Sequence, residues 1–309
     1  MAVTLTALLC ALFESEIAST MKEESIRPLS SPVSICGKTI SGWRAYKSER
    51  DIILHPKDFQ PEKTTVWSFP ERGTWATHTP HYRGNWSPQT ARNIVSLYSK
   101  EGDVVLDPMV GGGTTPVECM LTGRNSISVD INPSAIFLTG DRLTLPECKM
   151  KELLKTTHKL FVGDTRNLSH IEDNSIDLLM VHPPYSNIIK YTGSENDLST
   201  IDELDLFFDS FRLAISEYYR VLKNNSFCAI LIGDTRKKGH FVSISTRIML
   251  DFLRAGFVLK EEVIKLEWNC HSDRSCYYPN AGFLFIKHEH LFVFRKPDLK
   301  EGPLKTLKF

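Results

Sequence analysis

The segment that most constrains the fold runs from Val104 to Asp130 and reads VVLDPMVGGGTTPVECMLTGRNSISVD. It begins with a short apolar run that ends at Asp107, and a glycine turn at residues 111–113 follows. Residues 116–121 then have the pattern of a short helix, and a second apolar run leads to Asp130. This order predicts a strand, a turn, a helix and a second strand, with an aspartate at the tip of each strand.

Such a unit is suited to a nucleoside ligand. Glycines let the backbone approach a ligand closely, and the first turn of the following helix offers N–H groups that have no partner in the helix. The carboxylate of Asp130 suits the two hydroxyls of a ribose. The turn has neither the GxGxxG spacing of dinucleotide sites nor the Gly-Lys-Ser/Thr of nucleoside triphosphate sites. A nucleoside cofactor is one hypothesis, and a turn that only connects two elements is the alternative.

The rest of the chain predicts one α/β fold, because strands and helices alternate from residue 87 to residue 296. The predicted strands are 104–106, 126–129, 160–162, 176–181, 227–232, 258–266 and 290–295, and the predicted helices begin near Ser87, Pro116, Asn132, Asp202 and Val242. We expect a mostly parallel, twisted sheet with helices on both faces, in which the last two strands form an antiparallel pair. Polar residues follow several strands, and the carboxyl ends of parallel strands are where such sheets bind ligands.

Composition narrows the possible partners. The 37 basic and 37 acidic residues cancel, so a nucleic acid would need a local basic face. Seven cysteines are scattered without CxxC pairs, which predicts reduced thiols and no metal site. The apolar run at residues 2–13 is too short for a membrane span. We therefore expect a soluble, cytoplasmic protein of two parts, an irregular arm at residues 1–65 and a catalytic domain at 66–309.

The second informative site is the tetrad His182-Pro183-Pro184-Tyr185, which directly follows a predicted buried strand. Two prolines fix φ and remove N–H donors, so their carbonyl groups remain as acceptors in set directions. Such acceptors can align a planar amine, and the tyrosine ring can stack on its base. The alternative is a rigid turn from a strand to a loop, with a tyrosine in the core.

Together, the two sites resemble the amino-methylating DNA methyltransferases, over about residues 81–296. That family has an Asp-Pro-Phe-x-Gly-x-Gly-Thr-Thr signature, which is matched at residues 107–115. Its catalytic signature is Asp, Asn or Ser followed by Pro-Pro and an aromatic residue, and His182 is the one departure here. The cofactor signature precedes the catalytic one, so the order is not the permuted one.

The resemblance implies a Rossmann-like class I methyltransferase fold and S-adenosylmethionine as cofactor. The cofactor-binding residues that it implies are Trp86, Ser87, Gln89, Asp107, Pro108, Gly111, Gly112, Gly113, Thr114, Asp130 and Asp164. Of these, Asp130 would bind the ribose hydroxyls, Asp164 the adenine amino group, and the glycine turn would surround the methionine moiety.

The same resemblance implies methylation of an exocyclic amino group, at N4 of cytosine or N6 of adenine, in double-stranded DNA. No cysteine follows a proline, which argues against methylation at cytosine C5. The target base would leave the duplex and stack on Tyr185, while His182 and the Pro183 carbonyl accept hydrogen bonds from its amine. An uncharged acceptor is closer to the serine of cytosine enzymes, so N4 of cytosine is favoured.

Two segments are candidates for contact with DNA. The loop near residues 268–285 would read the sequence, and a basic run would hold phosphates, although a solvated loop is an equal alternative for that run. The residues concerned are Arg274, Tyr277, Tyr278 and Asn280 in the loop, and Arg236, Lys237 and Lys238 in the basic run.

Two other functions remain open from the sequence. One is an RNA methyltransferase, since transfer-RNA guanine-N2 enzymes pair a similar strand turn with a Pro-Pro-aromatic tetrad. The other is a binding module that has lost its chemistry, with His182 as the lesion. The resemblance also suggests a restriction-modification context with a partner restriction endonuclease, and the sequence predicts no particular oligomeric state.

Overall fold

A computed structural model describes residues 33–35, 38–40, 52–82, 84–184, 197–269 and 282–298. Most of the predicted N-terminal arm therefore lies outside the described residues. So do five predicted site residues, which are Tyr185, Arg274, Tyr277, Tyr278 and Asn280.

The strands and helices follow the alternation that the sequence predicts. The strands are β1 Val33–Ile35, β2 Lys38–Ile40, β3 Val66–Trp67, β4 Val104–Asp107, β5 Asn125–Asp130, β6 His158–Val162, β7 Ile176–Val181, β8 Leu222–Ile232, β9 Thr235–Lys237, β10 His240–Val242, β11 Val258–Leu266 and β12 His288–Arg295. The helices are α1 Pro88–Tyr98, α2 Thr114–Leu121, α3 Pro133–Leu143, α4 Glu147–Met150, α5 Leu204–Val221 and α6 Ile244–Arg254, with a 3₁₀ turn at Leu198–Thr200.

Eight of these strands form one sheet in the order β3-β11-β12-β8-β7-β4-β5-β6. The strands β8, β7, β4, β5 and β6 are parallel to one another. Strand β12 is antiparallel to both β8 and β11. This arrangement confirms the predicted Rossmann-like α/β fold with a mostly parallel sheet, including the antiparallel pair near the C-terminal end.

Both faces of the sheet are covered by helices. Successive side chains of a strand point to opposite faces, so each central strand contributes to the core on both sides. Leu106 of β4 and Leu179 of β7 pack in one core with α5 and α6. Val105 and Leu178, their neighbours in sequence, pack in a second core with α1. The buried strands therefore read as continuous apolar runs in the sequence.

The connections reverse direction at β4. From β4 the chain moves outward through β5 and β6, and it then returns to β7 on the other side of β4. Ligands bind at the carboxyl ends of parallel strands at such a switch point. The glycine turn that follows Asp107 lies at this position.

The segment before α1 is anchored to α2 through Glu118, a fully buried carboxylate. Its oxygens accept hydrogen bonds from Trp75 Nε1 at 2.7 Å, from His78 Nε2 at 2.6 Å and from Arg92 Nε at 2.6 Å. Burial alone would raise the pKa of Glu118, but His78 and Arg92 hold it below its usual value. Leu54 is buried beside α2 as well, so part of the predicted arm packs on the core.

Within the described part of the chain, no helix is both long and apolar enough to cross a membrane.

Candidate active site

A cleft of about 660 Å³ opens at the carboxyl ends of β4, β5, β6 and β7. Each of these strands contributes the residues that directly follow it, which the fold brings together at one edge of the sheet. The described residues that line the cleft are Tyr82, Gly84, Asn85, Trp86, Pro108, Met109, Val110, Gly111, Asp130, Ile131, Asp164, Thr165, His182, Pro184, Asp197 and Leu198.

The glycine turn lies against protein on one side and against the cleft on the other. A Cβ atom on Gly111 would be 2.8 Å from the ring of Tyr82, and one on Gly112 would be 2.8 Å from Arg142 Nη1. At Gly113 the φ angle is +78° and a Cβ would be 2.9 Å from Thr139 Oγ1. Only Gly111 of the three lines the cleft, so Gly112 and Gly113 serve mainly the packing of the turn on α3 and residue 82.

Asp130 holds the turn in place from the tip of β5. Its Oδ2 accepts a hydrogen bond from the Gly111 N–H at 2.8 Å, and its Oδ1 accepts one from Asn132 N–H at 2.9 Å. Burial raises the pKa of the Asp130 carboxyl to about 6, although these two bonds oppose the rise. Burial likewise raises the pKa of Asp107, which lies beneath the turn, to about 7.

The cleft is acidic. Asp130, Asp164 and Asp197 line it, and among the described lining residues there is no lysine or arginine. Asp164 is held by Arg166, whose Nη2 donates to its Oδ2 at 2.6 Å. Such a wall attracts a cation and disfavours phosphates, which agrees with the lack of a phosphate-binding signature in the sequence.

Asp197 was missed by the sequence predictions. It precedes the 3₁₀ turn, where its Oδ1 accepts a hydrogen bond from Ser199 N–H at 2.8 Å. An Asp followed two residues later by Ser is a signal for a capped turn. Nothing in the sequence indicated that this turn returns to the cofactor edge.

Besides Asp107, Gly112 and Gly113, three more of the predicted cofactor residues do not line the cleft. Ser87 caps α1 by accepting a hydrogen bond from Thr90 N–H at 3.2 Å. Gln89 Oε1 accepts one from Gly73 N–H at 3.0 Å, and Thr114 Oγ1 donates to the Trp86 carbonyl at 3.4 Å. Their contacts stabilise the wall that Trp86 forms, and the cofactor contacts assigned to them stay predictions.

The predicted catalytic turn meets the cleft directly. His182 and Pro184 line it, and Pro183 between them is buried. The His182 imidazole packs against the indole of Trp86, with 5.2 Å between the ring centroids. The cofactor and catalytic signatures are thus brought to one cavity.

The basic run forms a hairpin, β9–β10, which starts just beyond the carboxyl end of β8. Arg236 donates from Nε and Nη2 to the Leu284 carbonyl at 3.1 and 2.8 Å, and its guanidinium lies over the Phe283 ring. Arg236 therefore braces the hairpin against the segment after residue 281. Lys237 and Lys238 are exposed at the tip, and phosphate contact by all three residues stays a prediction.

Comparison with known proteins agrees with this geometry. Residues 29–139 match the N6_N4_Mtase family, described as DNA methylase. This part of the chain is therefore similar to DNA methylases. The match includes the glycine turn and Asp130, and it ends before Asp164 and His182.

Several curated proteins are similar to parts of the chain. The chain is 42% identical over 74 residues to the type II methyltransferase M.MjaII of Methanocaldococcus jannaschii, covering 24% of this chain and 14% of that one. It is 31% identical over 139 residues to the type II methyltransferase M.HpaI of Haemophilus parainfluenzae, covering 35% and 41%. A tRNA (guanine(10)-N2)-dimethyltransferase of M. jannaschii is 29% identical over 151 residues, covering 46% and 42%. The chain thus spans less than half the length of each of these relatives.

The residues that line the cleft fit S-adenosylmethionine, the cofactor that the similarity to DNA methylases indicates. That molecule carries a net positive charge from its sulfonium and ammonium groups, and the cleft offers carboxylates without a described lysine or arginine on its wall. Trp86, Met109, Ile131 and Leu198 supply apolar surface for an adenine ring.

Proposed function

We propose that the protein methylates an exocyclic amino group of a base in double-stranded DNA. The observation that carries the proposal is the meeting of the acidic cleft with the His182-Pro183-Pro184 turn in one cavity. The cleft suits a cationic methyl donor, and the turn offers acceptors for an amine at its rim.

On the cofactor side, Asp130 would accept hydrogen bonds from the ribose hydroxyls, and Asp164 would accept one from the adenine amino group. When bound, S-adenosylmethionine supplies a methyl carbon that the amine nitrogen attacks, leaving S-adenosylhomocysteine and one proton for the protein or solvent to accept. Direct attack needs no covalent enzyme intermediate, so proximity and alignment must supply most of the rate.

On the substrate side, His182 and the Pro183 carbonyl would accept hydrogen bonds from the amine. A neutral imidazole accepts one such bond and an imidazolium accepts none, so His182 would act in its neutral form. The base would be rotated out of the duplex at a cost of a few kcal/mol, which contacts in the cavity must offset. The uncharged acceptor favours N4 of cytosine over N6 of adenine.

The hairpin β9–β10 lies at the same edge of the sheet as the cleft, because it directly follows the carboxyl end of β8. Lys237 and Lys238 would there contact DNA phosphates, and the loop near residues 268–285 would read the bases. A restriction endonuclease as partner would suit the type II relatives, and DNA as substrate would suit a cytoplasmic enzyme.

Expression of the full chain in a bacterial host that lacks DNA methylation tests the proposal. Sequencing that detects modified bases should reveal one short motif carrying N4-methylcytosine. The matched control is Asp130→Ala, which should leave the DNA unmodified. Unmodified DNA from the wild-type chain, expressed as folded protein, would contradict a DNA substrate.

A second candidate is an RNA methyltransferase, which the similarity to the tRNA (guanine(10)-N2)-dimethyltransferase favours. Methyl transfer to tRNA and to duplex DNA, compared at equal nucleotide concentration, separates the two. A binding module without chemistry would bind S-adenosylmethionine in a calorimetric titration but would methylate neither substrate.

A further inference from the structure

The residue that departs from the family pattern, His182, has a buried carboxylate behind it. Glu289 of β12 is 6% exposed, and its Oε1 lies 3.7 Å from His182 Nε2. Its other oxygen, Oε2, accepts a hydrogen bond from Lys265 Nζ at 2.7 Å. Lys265 and Glu289 are direct partners in the β11–β12 ladder, so the sheet itself fixes this carboxylate.

The carboxylate is ionised in this environment. Burial alone would raise the pKa of Glu289, but the Lys265 ammonium and the His182 imidazole together hold it well below its usual range. A buried carboxylate is costly unless it is paired and hydrogen-bonded. Lys265 satisfies one oxygen, and the second oxygen faces the imidazole.

We propose that Glu289 is a positioning residue that orients His182 for the target amine. Glu289 would accept a hydrogen bond from His182 Nε2–H, so that the neutral imidazole keeps its lone pair on Nδ1. That atom is buried in the structure, and it would accept from the amine once the base has entered the cavity. The inference rests on the proposed function, since it assigns how that amine is held. The distance of 3.7 Å exceeds a hydrogen bond, and catalytic contacts of this kind commonly shorten when the ligands bind.

The arrangement gives a reason for a histidine at this position. The family pattern has the acceptor itself, an Asp, Asn or Ser, directly before Pro-Pro. Here the carboxylate belongs to Glu289 on β12, and the imidazole of His182 lies between this carboxylate and the cleft. Glu289 from β12 and, through it, Lys265 from β11 are charged groups that face His182, while the indole of Trp86 beside the ring is neutral.

The alternative is a cross-strand ion pair between Lys265 and Glu289 that only stabilises the sheet. The two readings differ in what they predict for the imidazole. A structural pair leaves the tautomer of His182 unaffected, whereas a positioning carboxylate sets it.

Nitrogen-15 NMR of histidine-labelled, full-length protein reads that tautomer without any reaction. At a pH where His182 is neutral, the wild type should show a protonated Nε2 and an unprotonated Nδ1, with the signal assigned by its loss in His182→Asn. Glu289→Gln should shift His182 toward the other tautomer. The control Glu262→Gln removes a carboxylate that lies 3.0 Å from His290 Nδ1, and it should change His290 alone. An unchanged His182 signal in Glu289→Gln overturns the proposal.

A double-mutant cycle on single-turnover methyl transfer gives the second readout. Glu289→Gln should slow methyl transfer by the otherwise wild-type protein about 10- to 100-fold, by analogy with the loss of carboxylates that orient metal-bound histidines. In the His182→Asn background there is no imidazole to orient, so Glu289→Gln should change the rate of methyl transfer by less than about threefold. Equal losses in both backgrounds contradict a role through His182.

Glu289→Gln leaves the partly buried Lys265 without its counter-charge, so Glu289→Gln combined with Lys265→Met keeps the test valid if the single variant unfolds. The paired variant should fold, bind S-adenosylmethionine like the wild type and still lose the His182 tautomer. If the wild type methylates neither DNA nor RNA, the proposed function fails, whereas the NMR result still decides the contact between Glu289 and His182.

Discussion

The cofactor half of the cleft and its substrate half are built differently. Around β4, β5 and β6 the wall is formed by residues that follow these strands in sequence, and Asp130 accepts hydrogen bonds from the backbone N–H groups of Gly111 in the glycine turn and of Asn132. Around β7 the key side chain, His182, depends on Glu289 and Lys265 from strands near the other end of the chain. The first half is set by local backbone geometry, and the second by contacts that only the assembled sheet provides.

The largest effect should come from the anchor of the cofactor half. Glu118→Gln leaves Arg92 and His78 buried without a carboxylate, and breaking a buried ion pair in this way costs about 3–5 kcal/mol. Urea unfolding should show that loss. Lys149→Gln, which removes an exposed ion pair with Glu152, should cost less than about 1 kcal/mol. Similar losses in both variants would mean that the cluster anchors nothing.

A change in the turn itself tests whether local geometry controls cofactor binding. Gly111→Ala combines a φ of +51° with a contact of 2.8 Å to the Tyr82 ring, whereas Gly102→Ala has a φ of +84° and open space. Strain alone should cost Gly102→Ala about 1 kcal/mol of stability. Gly111→Ala should in addition weaken S-adenosylmethionine binding about 100-fold or more in calorimetry. The added methyl group would displace the Tyr82 ring in the wall of the cleft, and such overpacking costs about 3 kcal/mol. Equal affinities of the two variants would contradict this prediction.

The buried carboxyl groups of the cofactor half predict a pH dependence. The pKa of Asp130 rises from 3.8 to about 6 on folding, so the folded state keeps a proton that the unfolded state has lost. Stability of the ligand-free protein should therefore fall as pH rises from about 4 to 7, by about 1–3 kcal/mol. Binding of the cationic cofactor should tighten over the same interval. Asp130→Asn should remove part of both trends in thermal unfolding and calorimetry, and its failure to alter either would contradict the assignment.

The smallest effect belongs to the substrate half. Lys237→Gln with Lys238→Gln should weaken binding to duplex DNA and lower the salt dependence by about two phosphate contacts. Cofactor binding should not change. Lys149→Gln with Lys151→Gln, at the opposite edge of the sheet, is the matched control. A salt dependence equal to that of the wild type would remove the hairpin from the DNA contact.

The same contrast explains what the sequence could predict. The strands, the helices and the turn from Asp107 to Asp130 follow from hydrophobic periodicity and glycine placement within short windows. The sequence assigned no strand to the basic run, which forms the β9–β10 hairpin with Lys238 at a φ of +52°. Arg236 of this hairpin donates a hydrogen bond to the Leu284 carbonyl, a contact that no local pattern contains.

Contacts between distant segments set the limits of prediction. Glu289 lay within a stretch that resembles the family, yet only the register of β11 with β12 brings it to His182. Asp197 and Tyr82 reach the cleft from loops on either side of the parallel strands. Their roles require the folded arrangement, whereas Asp130 and Asp164 were predicted from their places at strand tips.

The most direct test is a single-turnover reaction of the purified chain with labelled S-adenosylmethionine and unmethylated duplex DNA, followed by mass spectrometry of the digested nucleosides. The account predicts label in N4-methylcytosine, with loss of the product in Asp130→Ala. Label in N6-methyladenine would correct the base and retain the chemistry. Label in 5-methylcytosine, or no labelled nucleoside from a folded enzyme that binds the cofactor, would contradict methylation of an exocyclic amine in DNA.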